Sequence, residues 1–312
     1  MQYSVVIPTY RTDNTIHQTL SSLAKQTLKP EVVVIVIDIN FKDRQVCDAY
    51  KQWLSEFEEK LPLNFVTQFS HDFIPWQDNA SYVRNYWYKQ TRSDFILSID
   101  DDNIFNESFV EKCIKHYQII NEFDNKEMML VPTEKWRDTH VIRSQWYKKF
   151  NPRIGWVAPY LLPPRIPYQQ ISFASTNCLF GPRKLFELFP FDESLPFVYE
   201  DFDMTYRLSK AWYLLYVLAD TTIHHMIRDK TVLEDSYIDT MAHAYQKGKN
   251  RVLWVKKNMS FLQQLIYYCL WLWIHSLALS YKIIRYSKNI KQCASLLRAL
   301  SKWTWKGMMT MV

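Results

Sequence analysis

The stretch FILSIDDDN at residues 95–103 decides the fold, because an apolar run stops there against three consecutive carboxylates. The apolar residues 95–99 predict a buried strand. Asp100, Asp101 and Asp102 follow with no Lys or Arg between them, so the carboxylates repel one another. One interpretation is a solvated turn or a helix N-cap, because Asp and Asn favour both. The other is a divalent-cation site at the end of a strand of a sheet.

Strand and helix signals alternate along the first hundred residues. Apolar or β-branched runs predict strands, and apolar residues at helical spacing predict helices between them. The predicted strands are 3–8, 32–38, 63–69 and 94–99, and the predicted helices are 14–26, 43–60 and 78–90. This order predicts a parallel sheet with helices on both faces, and such sheets bind ligands beyond the carboxyl ends of their strands. Thr9, Asp38 and the three aspartates all lie at the carboxyl ends of predicted strands, which favours a binding site over a turn.

Glycine-rich phosphate loops are excluded by composition. The chain has only four glycines, at positions 155, 181, 248 and 307, so neither GxGxxG nor GxxxxGK[ST] is present. A nucleotide diphosphate bound to this sheet therefore needs another partner for its charge. A metal ion held by acidic side chains is the natural substitute, because Mg²⁺ and Mn²⁺ bridge carboxylates and phosphate oxygens.

Six segments of the chain, taken in order, carry a resemblance to a known family. They are VVIPTYRTDNTIHQTLSSLAKQTL, VVIVIDIN, DNASYVRNYW, FILSIDDDN, FDESLPFVYEDFDMTYRL and TTIHHM. Together they resemble the inverting family-2 glycosyltransferases of the GT-A fold, through roughly residues 3–255. The resemblance implies a Rossmann-type mixed sheet with flanking helices. It also implies transfer of a sugar from a nucleotide-sugar, which we expect to be a UDP- or dTDP-sugar.

The resemblance assigns binding roles by matching position. The residues implied to hold the nucleotide-sugar are Thr9, Tyr10, Asp38, Arg84 and Asp101. Asp100 and Asp102 match the outer positions of the DxD motif and are implied to bind Mn²⁺ or Mg²⁺, although a shift to Asp101 and Asp102 stays open. A histidine is implied to complete the metal shell, and the chain offers His224 and His225. Adjacent residues on an extended segment face opposite ways, so only one should reach the metal, and spacing favours His225.

The catalytic carboxylates are expected in the segment YEDFD. The resemblance implies that Asp201 is the general base that deprotonates the acceptor hydroxyl, with Glu200 near sugar or acceptor hydroxyls. In-line displacement needs a carboxylate opposite the leaving group to accept this proton. The same segment also predicts the start of an amphipathic helix with acids in its first turn. Asp203 is the competing candidate for the base.

Charge divides the chain into two parts. Residues 241–312 contain twelve Lys and Arg and no Asp or Glu, whereas residues 1–240 carry 26 basic and 32 acidic residues. We therefore predict a GT-A-like catalytic domain over 1–240 and a basic, Trp-rich helical tail over 241–312. Within the domain, the nucleotide half is expected over about 1–103 and the acceptor half over 104–240.

The tail predicts amphipathic helices lying in an anionic membrane surface. Residues 261–281 are apolar over about the length of a bilayer span, but they include Gln, His and Ser. Across the tail as a whole, Trp residues are interspersed with Lys and Arg, which suits the headgroup region of a membrane. One transmembrane helix and a buried helix of a homo-oligomer are alternatives. Nucleic-acid binding is disfavoured because the tail is too apolar. Lys247, Lys249 and Arg251 are candidates for the diphosphate of a lipid-linked acceptor, with a solvated helix face as the other interpretation.

The expected function is therefore a metal-dependent, peripheral membrane enzyme of surface polysaccharide synthesis on the cytoplasmic face of the plasma membrane. Five cysteines without a CxxC pair favour a reducing compartment, and the first residues contain no signal-peptide pattern. Two rival classes remain. A nucleotidyltransferase would share the sheet, but it usually has a Gly-rich N-terminal loop. A non-catalytic carbohydrate-binding or scaffold protein would share the fold without turnover.

Overall fold

A computed structural model describes most of the first 226 residues and part of the remainder. The described residues are 1–9, 15–37, 44–69, 80–136, 148–151, 156–159, 166–195, 199–226, 249–250, 252–267 and the single positions 277, 280, 291, 294, 295 and 298. The strands are β1 Tyr3–Thr9, β2 Val32–Ile37, β3 Phe65–Phe69, β4 Phe95–Ile99, β5 Asn103–Phe105, β6 Met128–Trp136, β7 Lys148–Asn151, β8 Trp156–Pro159, β9 Tyr168–Gln170, β10 Cys178–Pro182 and β11 Leu214–His225. The helices are α1 Thr15–Ala24, α2 Arg44–Glu58, α3 Ala80–Gln90, α4 Phe109–Asp124, α5 Arg183–Leu188, α6 Glu200–Lys210 and α7 Phe261–Ile266.

Nine of the described strands form one mixed sheet. Their order is β3-β2-β1-β4-β10-β6-β11-β5, and β9 pairs with β11. The first four strands are parallel, and β6 is parallel to β11. Strand β10 is antiparallel to both β4 and β6, while β5 and β9 are antiparallel to β11. The prediction of a Rossmann-type mixed sheet with flanking helices is confirmed.

Alternation along the central strands builds two apolar layers, one on each face of the sheet. In β1, Val5 and Ile7 belong to one buried cluster, whereas Val6 belongs to the other. Leu97 and Ile96 of β4 divide in the same way. Successive side chains of a strand point to opposite faces, so a strand buried on both faces must be apolar throughout. This explains why runs such as VVIVI are uninterrupted.

The carboxyl ends of the central strands meet at one edge of the sheet. Strand β1 ends at Thr9 and β4 ends at Ile99, directly before the three aspartates. Because β10 is antiparallel to both β4 and β6, strand β6 runs parallel to β4. Its partner β11 therefore also ends at this edge, with His225 as its last residue. The edge is the one at which parallel sheets bind ligands.

The contacts between residues divide the chain into two compact units. The first comprises Met1–Lys149, Pro159–Pro196 and Glu200–Ile227, and the second comprises Phe150–Ala158, Phe197–Tyr199 and Arg228–Val312. In the second, residues 252–258 are helical, and α7 begins with a capping box in which Ser260 and Gln263 exchange hydrogen bonds. No helix in the described part of the chain is long and apolar enough to cross a membrane. The division at residue 240 and the membrane-associating tail stay predictions.

Candidate functional site

Asp100, the first of the three aspartates, is tied to Arg84. The carboxylate Oδ1 of Asp100 accepts a hydrogen bond from Arg84 Nη2 at 2.7 Å. Its backbone N–H donates to the carbonyl of Asn177 at 2.9 Å. The Asp100 side chain is 30% exposed, whereas that of Arg84 is buried. In this ion pair, the carboxylate is partly exposed to solvent and the guanidinium is buried.

Asp101 joins the end of β4 to β1 and α1. The residue is buried, and its Oδ2 accepts a hydrogen bond from Thr9 Oγ1 at 2.5 Å. Its backbone carbonyl accepts a second hydrogen bond from Thr19 Oγ1 at 2.9 Å. Thr9 ends β1 and Thr19 lies on α1, so both hydroxyls come from the first βα unit. Two of the residues predicted to bind the nucleotide-sugar, Thr9 and Asp101, are thus in direct contact.

Asp102 lies beside His225 and Glu134. Its Oδ1 is 3.6 Å from His225 Nδ1, and Glu134 Oε1 is 3.5 Å from the same nitrogen. The backbone carbonyl of Asp102 accepts a hydrogen bond from the N–H of Met226, which fixes the end of β11 against the aspartates. Asp102 and Glu134 are both buried. Within the described ranges, no group of three or more His, Cys, Asp or Glu side chains is placed to hold a metal ion.

The two histidines differ in their surroundings. His225 faces Asp102 and Glu134, whereas His224 precedes it on the extended strand β11. The pKa of His224 is lowered, first by burial and then by the positive charge of Lys135. This geometry favours His225 as the residue that faces the aspartates. Its role as a metal ligand stays a prediction.

Arg84 is held in place by packing and charge. It lies on α3 with its guanidinium carbon 5.3 Å from the centre of the Phe191 ring. Burial, the largest single influence, lowers the pKa of Arg84, but the negative charges of Asp100, Tyr88 and Glu200 and the hydrogen bond to Asp100 together outweigh it and raise the pKa. The guanidinium is therefore a permanent buried cation whose position is set by α3 and Asp100.

Glu200 begins helix α6 and has a strongly perturbed pKa. Burial first, and then the negative charge of Asp201, raise the pKa of Glu200 to about 8, although Arg84 acts in the opposite direction. Its Oε2 is buried and has no hydrogen-bond partner in the described part of the chain. Tyr199, directly before the helix, has a positive φ of 75°, which is uncommon outside glycine. The raised pKa favours the protonated form of Glu200, which is able to donate a hydrogen bond.

The two candidates for the general base have different environments. Asp203 is fully buried and pairs with Arg207 Nε at 2.6 Å, and Arg207 also donates to the carbonyl of Pro190. Asp201 is only half-buried, and its Oδ1 accepts a hydrogen bond from the backbone N–H of Phe202 at 2.7 Å. Asp203 thus serves an ion pair within α6. The geometry favours Asp201 as the residue available to a substrate.

Several predicted site residues lie outside the described part of the chain. They are Tyr10, Asp38, Lys247 and Arg251. Lys249 is described, and it is exposed in a helical segment. Three residues that contact the aspartate edge were not predicted, namely Thr19, Glu134 and Asn177. They lie on α1, near the end of β6 and directly before β10, and no local pattern in the sequence distinguishes them.

Comparison with known proteins identifies the family. The model of glycosyl transferase family 2 matches residues 4–188, which is more than half of the chain. The chain therefore belongs to glycosyl transferase family 2, which confirms the resemblance and the predicted class of enzyme. Membership of this family also disfavours the nucleotidyltransferase alternative.

Two curated relatives are similar over part of their length. Poly(ribitol-phosphate) beta-N-acetylglucosaminyltransferase TarS of Staphylococcus aureus strain Mu50 is 32% identical over 110 residues, covering 34% of this chain and 17% of TarS. The glycosyltransferase YfnE of Bacillus subtilis strain 168 is 27% identical over 151 residues, covering 48% of this chain and 33% of YfnE. The chain thus spans a third or less of the length of these relatives.

The fold is similar to that of a solved TarS structure. The crystal structure of S. aureus TarS 1–349 in complex with UDP-GlcNAc has a TM-score of 0.50 and 19% sequence identity to this chain. The match covers 97% of this chain and 80% of the TarS fragment. At this level of identity the similarity supports the fold.

Proposed function

We propose that this protein is a metal-dependent, inverting glycosyltransferase that moves a sugar from a nucleotide-sugar to a hydroxyl of a saccharide acceptor. The observation that carries the proposal is the meeting of Thr9, the three aspartates and His225 at the ligand-binding edge of a family-2 fold. The partly exposed Asp100–Arg84 pair and the half-buried Asp201 add charged groups suited to donor and acceptor.

Asp102 and His225 are the residues that would hold Mn²⁺ or Mg²⁺. They fit such an ion because a buried carboxylate oxygen and an imidazole nitrogen lie 3.6 Å apart at the strand ends. These cations commonly take one or two carboxylates from the protein and fill their remaining positions with phosphate oxygens and water. When bound, the ion would neutralise the negative charge that develops on the nucleoside diphosphate leaving group. Asp100, predicted as a second ligand, is paired with Arg84 and is better placed to bind donor hydroxyls.

The remaining residues account for the chemistry. Asp201 accepts the proton of the acceptor hydroxyl while the oxygen of that hydroxyl attacks the anomeric carbon of the donor. The new glycosidic bond forms as the bond to the diphosphate oxygen breaks, and the anomeric configuration inverts. Glu200, whose raised pKa favours the protonated form, donates a hydrogen bond to a sugar hydroxyl. Arg84 and Asp100 fix the donor sugar, and Thr9, Tyr10, Asp38 and Asp101 bind the nucleoside.

A UDP-sugar is the first donor to test. TarS is named as an N-acetylglucosaminyltransferase, and its solved fragment was crystallised with UDP-GlcNAc. We therefore propose a UDP-sugar as the donor, with a dTDP-sugar as the alternative. The acceptor class is a saccharide of a surface polysaccharide.

We further propose that the acceptor is lipid-linked and that the enzyme binds an anionic membrane surface, at the cytoplasmic face of the plasma membrane. Three apolar side chains of α7 are exposed in the structure, Phe261 by 81%, Leu262 by 64% and Leu265 by 49%. Lys256 and Lys257 are also exposed and precede this helix by one turn. Apolar residues beside cations, in a tail without a single acid, suit a surface of anionic lipid headgroups. Lys247, Lys249 and Arg251 would then bind the diphosphate of the acceptor.

The proposal is tested by nucleotide binding and turnover on the same protein. Thermal unfolding is measured with UDP, dTDP, GDP and CDP, each with Mn²⁺ or EDTA, for wild type and Asp102→Asn. We expect one nucleotide to raise Tm by several degrees with Mn²⁺ only, and Asp102→Asn to lose the shift, because a ligand at 100 times its Kd adds about 2.7 kcal/mol. Sugar transfer from the matching UDP- or dTDP-sugar to a lipid-linked saccharide is then measured. No shift with any nucleotide would refute the proposal, and a shift without turnover would favour the non-catalytic alternative.

A further inference from the structure

Glu134 is a buried carboxylate at the site that no sequence pattern predicted. It lies near the end of β6 and pairs in register with Ile223 of the parallel strand β11. Only 4% of the residue is exposed. Its position brings a second acid to the strand ends at which Asp102 lies.

Two carboxylates face one nitrogen in this cluster. His225 Nδ1 is 3.5 Å from Glu134 Oε1 and 3.6 Å from Asp102 Oδ1. One ring nitrogen carries at most one proton, so it cannot donate a well-formed hydrogen bond to both oxygens. Both distances exceed the range of a good hydrogen bond. By contrast, donor atoms that bind the same ion at about 2.1 Å lie about 3.0 Å from one another. An atom just outside the set of atoms that bind the ion lies slightly farther from those donor atoms.

Asn103 provides an independent observation at the same place. It follows Asp102 directly and pairs with His225 across β5 and β11. Its amide nitrogen donates to the carbonyl of Asn177 at 2.9 Å, but its fully buried Oδ1 has no hydrogen-bond partner in the part of the chain that the structure describes. A buried oxygen without a donor is costly, and it is satisfied when an ordered water or an ion occupies the site.

The acids at this edge have different neighbours. Asp100 is paired with the buried guanidinium of Arg84. Asp102 and Glu134 instead share the neighbourhood of one histidine, and Asn177 Nδ2 donates to Glu134 at 3.5 Å as a neutral group. Asp102 and Glu134 therefore bring two buried carboxylates to one imidazole at the strand ends.

We propose that Glu134 is a positioning residue of the cation site, accepting a hydrogen bond from a water bound to the ion that Asp102 and His225 hold. This inference rests on the metal dependence of the proposed function. We place Glu134 outside direct coordination because these cations commonly keep several bound waters, and Glu134 Oε1 already accepts a hydrogen bond from Asn177 Nδ2 at 3.5 Å. Such outer carboxylates orient the ligands and typically change metal affinity by 10- to 100-fold.

The test measures Mn²⁺ binding directly, with and without UDP, by the electron paramagnetic resonance signal of the free hydrated ion. Wild type is compared with Glu134→Gln, which keeps the shape and removes the charge. The matched control is Glu127→Gln, because Glu127 lies directly before β6, at the opposite end of the strand, and pairs with Lys184 on the surface. We expect the Kd for Mn²⁺ to rise about tenfold or more in Glu134→Gln and to change less than about twofold in the control.

The outcomes separate this inference from the proposed function. Wild type that binds Mn²⁺ with UDP, together with Glu134→Gln that binds it equally tightly, would overturn the role of Glu134 alone. Wild type that binds no Mn²⁺ in the presence of UDP would overturn the metal dependence and this inference with it. If Glu134→Gln does not fold, Glu134→Asp is used instead. That variant keeps the charge on a shorter side chain. If both Glu134→Asp and Asn103→Ala bind Mn²⁺ with the same Kd as wild type, the result would count against the proposal.

Discussion

The most decisive prediction concerns Asp201 and Asp203, which are two residues apart on α6 and have opposite surroundings. Replacing Asp201 by Asn removes the proposed general base but keeps its size. General-base catalysis contributes about 10²- to 10⁴-fold, so we expect kcat to fall by this factor, equivalent to about 3–5 kcal/mol in the barrier. The stability should change by less than about 1 kcal/mol, because Asp201 is half-buried and its contribution is that of an acid at a helix N-terminus.

Replacing Asp203 by Asn should lower the stability and leave kcat nearly unchanged. Asp203 is fully buried and accepts a hydrogen bond from Arg207, whose side chain is a quarter exposed. A hydrogen bond to a charged group contributes about 1.5–3 kcal/mol, so the loss of the charge should destabilise the protein by about 2 kcal/mol. The kcat of the folded fraction should change little.

The assay pairs steady-state kinetics, followed by release of the nucleoside diphosphate, with urea unfolding of both variants. The Asp201 variant should be stable and nearly inactive, and the Asp203 variant active and less stable. An active Asp201→Asn enzyme, or an Asp203→Asn enzyme that is inactive at wild-type stability, would refute the assignment of the base.

The remaining predictions address the pH response, the donor site and the membrane surface. Because the pKa of Glu200 is raised to about 8 in the folded protein, the folded state binds more protons than the unfolded state from about pH 4.5 upward, so stability should fall as the pH rises towards 8. Urea midpoints at pH 5, 7 and 9 should show this slope in wild type and lose it in Glu200→Gln; an equal slope in both would contradict it. Arg84→Lys should raise the Kd of the UDP-sugar about tenfold or more and change the Kd of UDP little, because an ammonium group cannot replace the planar guanidinium against Asp100. Titration calorimetry with both ligands measures these constants. An equal rise in the Kd of both ligands would indicate a role at the nucleotide instead. Phe261→Glu with Leu262→Glu should abolish sedimentation with vesicles that contain anionic lipid, whereas Phe123→Glu, at an equally exposed aromatic position on α4, should not.

The central sheet could be predicted because its signals are local. The apolar runs of β1, β2 and β4 reflect burial on both faces, and each strand lies within one residue of its predicted bounds. The aspartate run could be placed at the ligand-binding edge because it follows a strand directly. These inferences need only the alternation of side chains and the direction of parallel strands.

The pairing of the three carboxylates could not be predicted in the same way. Asp100 contacts α3, Asp101 contacts β1 and α1, and Asp102 lies near β6 and β11. Each partner is determined by contacts between distant parts of the chain. Glu134 and Asn177 are absent from the sequence predictions for the same reason, since only the parallel pairing of β6 with β11 and the antiparallel direction of β10 bring them to this edge.

The antiparallel direction of β10 has a consequence for how this enzyme can diversify. The chain leaves the sheet at Trp136, at the end of β6, and returns at Cys178, at the start of β10, on the same edge. The intervening residues therefore begin and end next to the aspartates, and changes in their length need not alter the pairing of β4, β10 and β6. Residues 168–170 of this segment form β9, which pairs with β11, so variation in length that keeps every strand of the nine-stranded sheet is confined to residues 137–167.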